Sequence, residues 1–146
     1  MGNRPLKPLW PCPKCGARLV TPNMWHSCGL FSEDALFVTA SPDVRQTFEA
    51  LRSAVLRQTD AVVTPQKTRI VFQLRTRFLS VYPRKASLIA GFVFRQSSPG
   101  PRFHRIEGPI SGAFVHYVRL TSPAEVDDEI AGFIRQAIPY GEQTAP

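Results

Sequence analysis

The chain has 146 residues, with 18 basic against 11 acidic side chains and a formal charge of +7. That length suits one ordinary domain, or a small module followed by one domain, and a hydrophobic fraction of 43% excludes a disordered chain. No apolar run approaches the ~20 residues needed to span a bilayer, and the first residues lack the apolar stretch of a secretory signal, so a cytoplasmic protein without membrane association is expected.

The first 30 residues carry all three cysteines, between Cys12 and Cys28. An odd, tightly clustered set is poor material for a disulfide framework and good material for a metal site in a reducing compartment. Prolines 5, 8, 11 and 13 favour an extended arm. Cys12-Pro13-Lys14-Cys15-Gly16 has the form of a zinc knuckle: two thiolates separated by two residues reach one ion, and glycine permits the tight turn. His26 and Cys28, two apart on an extended stretch, project to the same side. Together Cys12, Cys15, His26 and Cys28 supply the four ligands of a closed, structural Zn2+ site. The plain alternative is a set of reduced, buried cysteines. Trp10 and Trp25 flank the segment and are its candidate core. Residues 1–30 are thus read as a zinc-binding module and 31–146 as an α+β domain, joined by the link Leu30 to Ala40, whose Phe31, Leu36 and Phe37 are expected to pack the two parts together.

Ser41-Pro42-Asp43 is a helix start, with serine as cap, proline at the first helical position and an acid in the first turn. Val44, Phe48, Leu51 and Val55 then form one apolar stripe, ending near Gln58. From Arg69 the period becomes two. Ile70, Phe72 and Leu74 alternate with polar neighbours, as in a half-buried strand. Arg77 to Tyr82 reads as a second strand. Ser87 to Arg95 is apolar on both faces and is expected at the centre of the sheet. Residues 97–101 form a turn, Phe103 to Glu107 a short strand, and Gly112 to Leu120 a longer one. Ser122 and Glu125 are spaced as a capping box, opening a helix striped by Val126, Ile130, Phe133, Ile134 and Ala137 and ended by Pro139 and Gly141. The tail from Glu142 is expected to be disordered. The fold class predicted is α+β: an antiparallel sheet of four to five strands, connected as a meander, with two helices on one face and the other face open.

Charge is unevenly spread. Between Asp60 and Glu107 there is no acid, while the same stretch holds half of the basic residues. Such an excess suits nucleic acid, phosphate groups or an acidic protein. Arg69, Arg75, Arg77, Arg84 and Lys85 are the candidate anion or nucleic-acid contacts, since arginine presents a planar fork to phosphate. Phe78, Tyr82 and Phe103 lie among them as candidate stacking rings. The bland alternative is a solvated sheet face. His104 is placed at the surface. The parity of His116 favours a hydrogen-bonded core histidine; the alternative is a contact, with Lys85 and Arg95, for an anionic small molecule between sheet and helices. The Gly-rich phosphate loop, the metal-nuclease acid-x-Lys pattern and the nucleophile elbow are absent. Asp127, Asp128 and Glu129 read as favourable first-turn charge. No catalytic residue is nominated, and the reading leans away from an enzyme.

The chain resembles an uncharacterised bacterial family, domain of unknown function 5655, over about residues 8–138. The resemblance is carried by Trp10 to Gly16 with His26-Ser27-Cys28, by the helix opened at Ser41-Pro42, by Phe78 and Val81 to Lys85, by His116 to Leu120, and by Glu125-Val126-Asp127. It is also similar, more distantly, to the YdhG-like α+β group. The resemblance implies an α+β fold without an established activity. By analogy with zinc-bearing members it also implies an adaptor for nucleic acid or a protein partner.

Overall fold

The computed structural model describes residues 8–13, 18–19 and 31–144. Strands β1 (Trp10–Pro11) and β2 (Arg18–Leu19) form a small antiparallel pair. A short helix α1 (Glu33–Leu36) precedes α2 (Pro42–Leu56). Six strands follow: β3 (Val62–Pro65), β4 (Ile70–Gln73), β5 (Arg77–Pro83), β6 (Leu88–Phe94), β7 (Phe103–Ile110) and β8 (Ala113–Leu120). A single 3-10 turn at Pro123–Glu125 leads into α3 (Asp128–Glu142).

The fold class is α+β, with all six strands antiparallel in the order β3-β4-β5-β6-β8-β7. The expected meander therefore holds only as far as β6. The chain then passes over one place, and β8, not β7, pairs with β6. The physical reason is composition. Val118 and Leu120 of β8 are fully buried, so β8 belongs inside, whereas β7 carries His104, Arg105, Glu107 and Pro109 and suits an edge. The opposite edge, β3, went unforeseen because it is short and ends in Pro65, a residue that demotes a strand to an edge.

Helices α2 and α3 cover one face. Val44, Phe48, Leu51 and Val55 of α2 meet Ile130, Ile134 and Ala137 of α3 over Ile70, Phe72, Val81, Ala90, Phe92 and Leu120. A β-bulge at Phe72/Gln73 breaks the alternation of the neighbouring strand, and Phe78 and Leu79, adjacent in sequence, both join this core. The start of α2 is tied to the β5–β6 turn by the Ser41 N–H, which donates to the Lys85 carbonyl at 2.8 Å. Phe37 tilts against Phe48 with ring centroids 5.3 Å apart, so the end of the link packs on the main core, while Phe31 is exposed.

At the last helix two sequence expectations shift. The capping box forms, but around the 3-10 turn; α3 is capped instead by Asp127, whose carboxylate accepts from the Ile130 N–H at 3.1 Å. Pro139 does not end α3. The helix continues to Glu142, Gln143 closes it in the left-handed conformation, and Thr144 donates to the Pro139 carbonyl, so this part of the tail is ordered. The continuation docks: the Gly141 carbonyl accepts from the N–H groups of Arg75 and Thr76 at 2.8 and 3.0 Å.

Candidate functional site

Among the described residues the face of the sheet away from the helices bears no helix, and it is shaped by the strand register. Tyr82 pairs across with Ile89, and Ile89 with Arg119. One step along, Ser80 faces Gly91, Gly91 faces Tyr117, and Tyr117 faces Arg105. Arg69, just before β4, joins the first of these rows, donating to the Tyr82 hydroxyl at 3.3 Å and to the Gln66 side-chain oxygen at 2.8 Å. Two transverse rows thus run across the sheet, Arg69, Tyr82, Ile89 and Arg119 in one and Ser80, Gly91, Tyr117 and Arg105 in the other.

The floor is low because Gly91 has no side chain. A Cβ there would stand 3.0 Å from both Tyr117 Cε1 and Val115 Cγ1, so these two side chains lie down over the glycine. Tyr117 also lines a concavity of about 570 Å³ on this face. Tyr82, Ile89 and Tyr117 line it together with Arg84, Ser87, His104, Arg105, Glu107 and Arg119. The Arg105 guanidinium lies over the Tyr117 ring at 4.9 Å and that of Arg84 over Tyr82 at 5.9 Å, both within the range of cation–π attraction. Glu107 is the single acid in this lining, and it pairs with Arg105.

Electrostatics follow the geometry. Burial, then the neighbouring Tyr82, raises the Tyr117 phenol above its ordinary pKa against the pull of Arg105, Arg69 and Arg77, so the ring stays neutral. The Arg77 guanidinium, although its side chain reaches solvent, is lowered by burial first and then by the like charge of Arg69. Two positive charges held near one another without an acid between them favour a bound anion. On the helical side Arg45, Arg52 and Arg102 have acid partners. Arg52 and Arg45 pair with Glu33, Asp34 and Glu49. Arg102 pairs with Asp127 at 2.8 Å and Glu129 at 3.1 Å, which gives the acid cluster at the start of α3 a partner.

The structure divides the residues singled out from sequence. Arg69, Arg77 and Arg84 belong to the open face. Lys85 is exposed in the adjoining β5–β6 turn. Arg75 does not share their face: β4 ends at Gln73, and Arg75 sits in the following turn, its Nε donating to the Gln143 side chain at 3.2 Å. Phe78 is fully buried, and Phe103 packs against Phe133 and His116 at 4.7 and 4.9 Å, so of the three expected stacking rings only Tyr82 reaches the open face.

His116 is fully buried. Its Nε2 accepts from the Ser98 N–H at 2.9 Å, its Nδ1 donates to the Phe114 carbonyl at 3.1 Å, and its ring lies 4.3 Å from Phe94. Arg95 donates to carbonyls of Pro139 and Thr144 at the end of α3. A ligand pocket joining Lys85, Arg95 and His116 between sheet and helices is therefore not formed. Phe94, Phe103 and Phe133 fill the space around the imidazole.

Tyr117, Arg119 and Gly91 were missed from sequence. Their signal was present in Phe114 to Leu120: once His116, Val118 and Leu120 share the core side, Tyr117 and Arg119 must share the other.

Of the four expected zinc ligands only Cys12 is among the described residues. It is buried beside Leu19, with Trp10 packed on the pair. Cys15, His26 and Cys28 lie outside them, as does Trp25. Among the described residues no group of three or more His, Cys, Asp or Glu side chains is placed to hold a metal, and no helix is long and apolar enough to cross a membrane.

This is an α+β domain whose sheet presents a basic, aromatic trough to solvent. The chain belongs to the family described as domain of unknown function (DUF5655), whose model matches residues 33–138. The Cys/His segment precedes that match. No curated protein matches the chain, and no solved structure matches it.

Proposed function

We propose that the protein is a non-enzymatic binding module for nucleic acid or a related anionic partner, and that the open sheet face is where it binds. The observation that carries this reading is the charge of the open face: Arg84 and Arg119 line the trough, Arg69 and Arg77 lie near its tyrosines, and none of these four has an acid paired to it among the described residues. The zinc segment, Cys12, Cys15, His26 and Cys28, is part of the same proposal as a structural extension. Arg18 ties it to the main domain, pairing with Asp60 and accepting at its carbonyl from Gln73 Nε2 at 2.9 Å. The zinc-ribbon form of that segment, the YdhG-like kinship of the domain and a cytoplasmic setting belong to this reading too.

The test is binding of heparin and of labelled nucleic acid as salt rises. With about four phosphate contacts, affinity for a single strand falls on the order of 50-fold between about 50 and 200 mM salt. Absence of binding at micromolar protein, or binding indifferent to salt, overturns the reading.

A further inference from the structure

We propose that the trough selects single-stranded nucleic acid, seating one unpaired base on the Tyr117 ring with the adjoining phosphates on Arg84 and Arg119; this rests on the anion-binding reading above. The first argument is depth. Both tyrosines line the concavity, and Tyr117 lies close over Gly91, where a Cβ would meet its ring. A duplex keeps its bases stacked inside and offers phosphates to the rim, so it reaches the arginines without touching the rings. A single strand turns its unstacked bases toward a protein and its phosphates toward cations at once.

Size is the second argument. A volume of about 570 Å³ lies within the ~300–1,000 Å³ of pockets that enclose one small planar ligand. Arg69, just before β4, is followed across the sheet by Tyr82, Ile89 and Arg119 on successive strands, which spans roughly 14 Å at the usual inter-strand spacing. Cations at both ends of this row, with the Tyr82 ring between them and the Tyr117 ring in the next row, suit a chain that alternates charge and flat base.

The third argument is how the rings are covered. Tyr117 is capped by Arg105 and Tyr82 by Arg84, both exposed arms. An incoming base can replace the guanidinium on the ring while the displaced arm turns to phosphate, so each cation–π contact is exchanged for stacking plus a charge-assisted hydrogen bond. An acidic peptide brings the charge but no planar unit to occupy the vacated ring.

The experiment compares a short single-stranded oligonucleotide, a blunt duplex of equal length, a mononucleotide, polyglutamate and heparin, against the full chain at fixed salt. The single strand is expected to bind tightest. Tyr117→Ala is expected to weaken the strand about tenfold, a larger loss than it causes for heparin, and Tyr117→Phe, which keeps the ring, to restore the preference for the strand over heparin. In the native protein the ring protons of Tyr82 and Tyr117 are expected to shift upfield with the strand and not with heparin, a readout independent of any effect of substitution on folding. Equal binding of duplex, polyglutamate or mononucleotide, or unshifted tyrosine ring protons, overturns the inference and leaves the anion-binding reading standing. Failure of every polyanion overturns both.

Discussion

Gly141 shows how one atom fixes the joint between α3 and the sheet. A Cβ at this position would lie 2.6 Å from Phe78 Cδ1 and 3.0 Å from its Cβ, and Phe78 is fully buried, so the ring has nowhere to retreat. Gly141→Ala is expected to destabilise by about 1–3 kcal/mol through overpacking, read as a lower urea midpoint at unchanged slope. From sequence Gly141 looked like a helix terminator; its function is close approach, which no periodicity encodes. His116 is the second decisive residue. Burial holds its imidazole below the ordinary pKa, against the raising effect of the Phe114 carbonyl. The unfolded chain therefore takes up a proton that the folded chain refuses. Stability is full above about pH 6.5 and declines as pH drops from there toward the lower folded value. His116→Gln is expected to flatten the urea midpoint between about pH 7 and 5. A pH slope that survives the substitution would assign it to another group. The alternation around His116 already placed it on the core side, but its partner, the Ser98 N–H, comes from a loop 18 residues away and was not legible.

Among the elements, α3 gains its start from side chains rather than from propensity. Asp127 caps it, and its carboxylate is held below the ordinary pKa first by the Ile130 N–H and then by Arg102. Glu125, one turn earlier, is lowered by the Thr121 hydroxyl and N–H. Both carboxylates contribute above their unfolded values near pH 4, and that contribution is lost as pH falls through the lower folded values. Asp127→Ala is expected to cost about 1 kcal/mol in thermal or urea unfolding. Ser122→Ala is expected to cost less, because it caps only the 3-10 turn. The capping-box spacing was correctly visible in sequence, yet the element it opens was misjudged. A box records which backbone N–H groups are satisfied, and the chain satisfies them over three residues, then turns and caps again. The strands were legible wherever one face was apolar. They were not legible at β3, where all four residues are half-buried and alternation vanishes, nor at the β5 bulge, which breaks parity at Phe78.

For the molecule as a whole, the net charge of +7 resolves into two faces. On the helical side Arg52 and Arg102 sit in networks with acids, and on the sheet face Arg84 and Arg119 line the trough with no acid paired to them among the described residues. The zinc proposal also belongs at this scale, because metal binding and folding of the N-terminal segment would be one event. Protein purified without added metal is expected to contain about one zinc ion per chain, and Cys15→Ser to lose it, with the α+β domain still folded. A metal-free native protein would return Cys12 to the role of a small buried hydrophobe beside Leu19.

The amino-acid sequence alone determined the kinds of element, the apolar stripes of both long helices, the central place of β6 and the excess of arginine after Asp60. These are local properties, set by periodicity and by which residues water rejects. Tertiary structure alone decided that β8 lies between β6 and β7, that Arg75 leaves the company of Arg69, and that Tyr117 comes to rest over Gly91 among arginines from four other places in the chain. Those are matters of strand order and register, and register is fixed only when every strand competes at once for the same buried face.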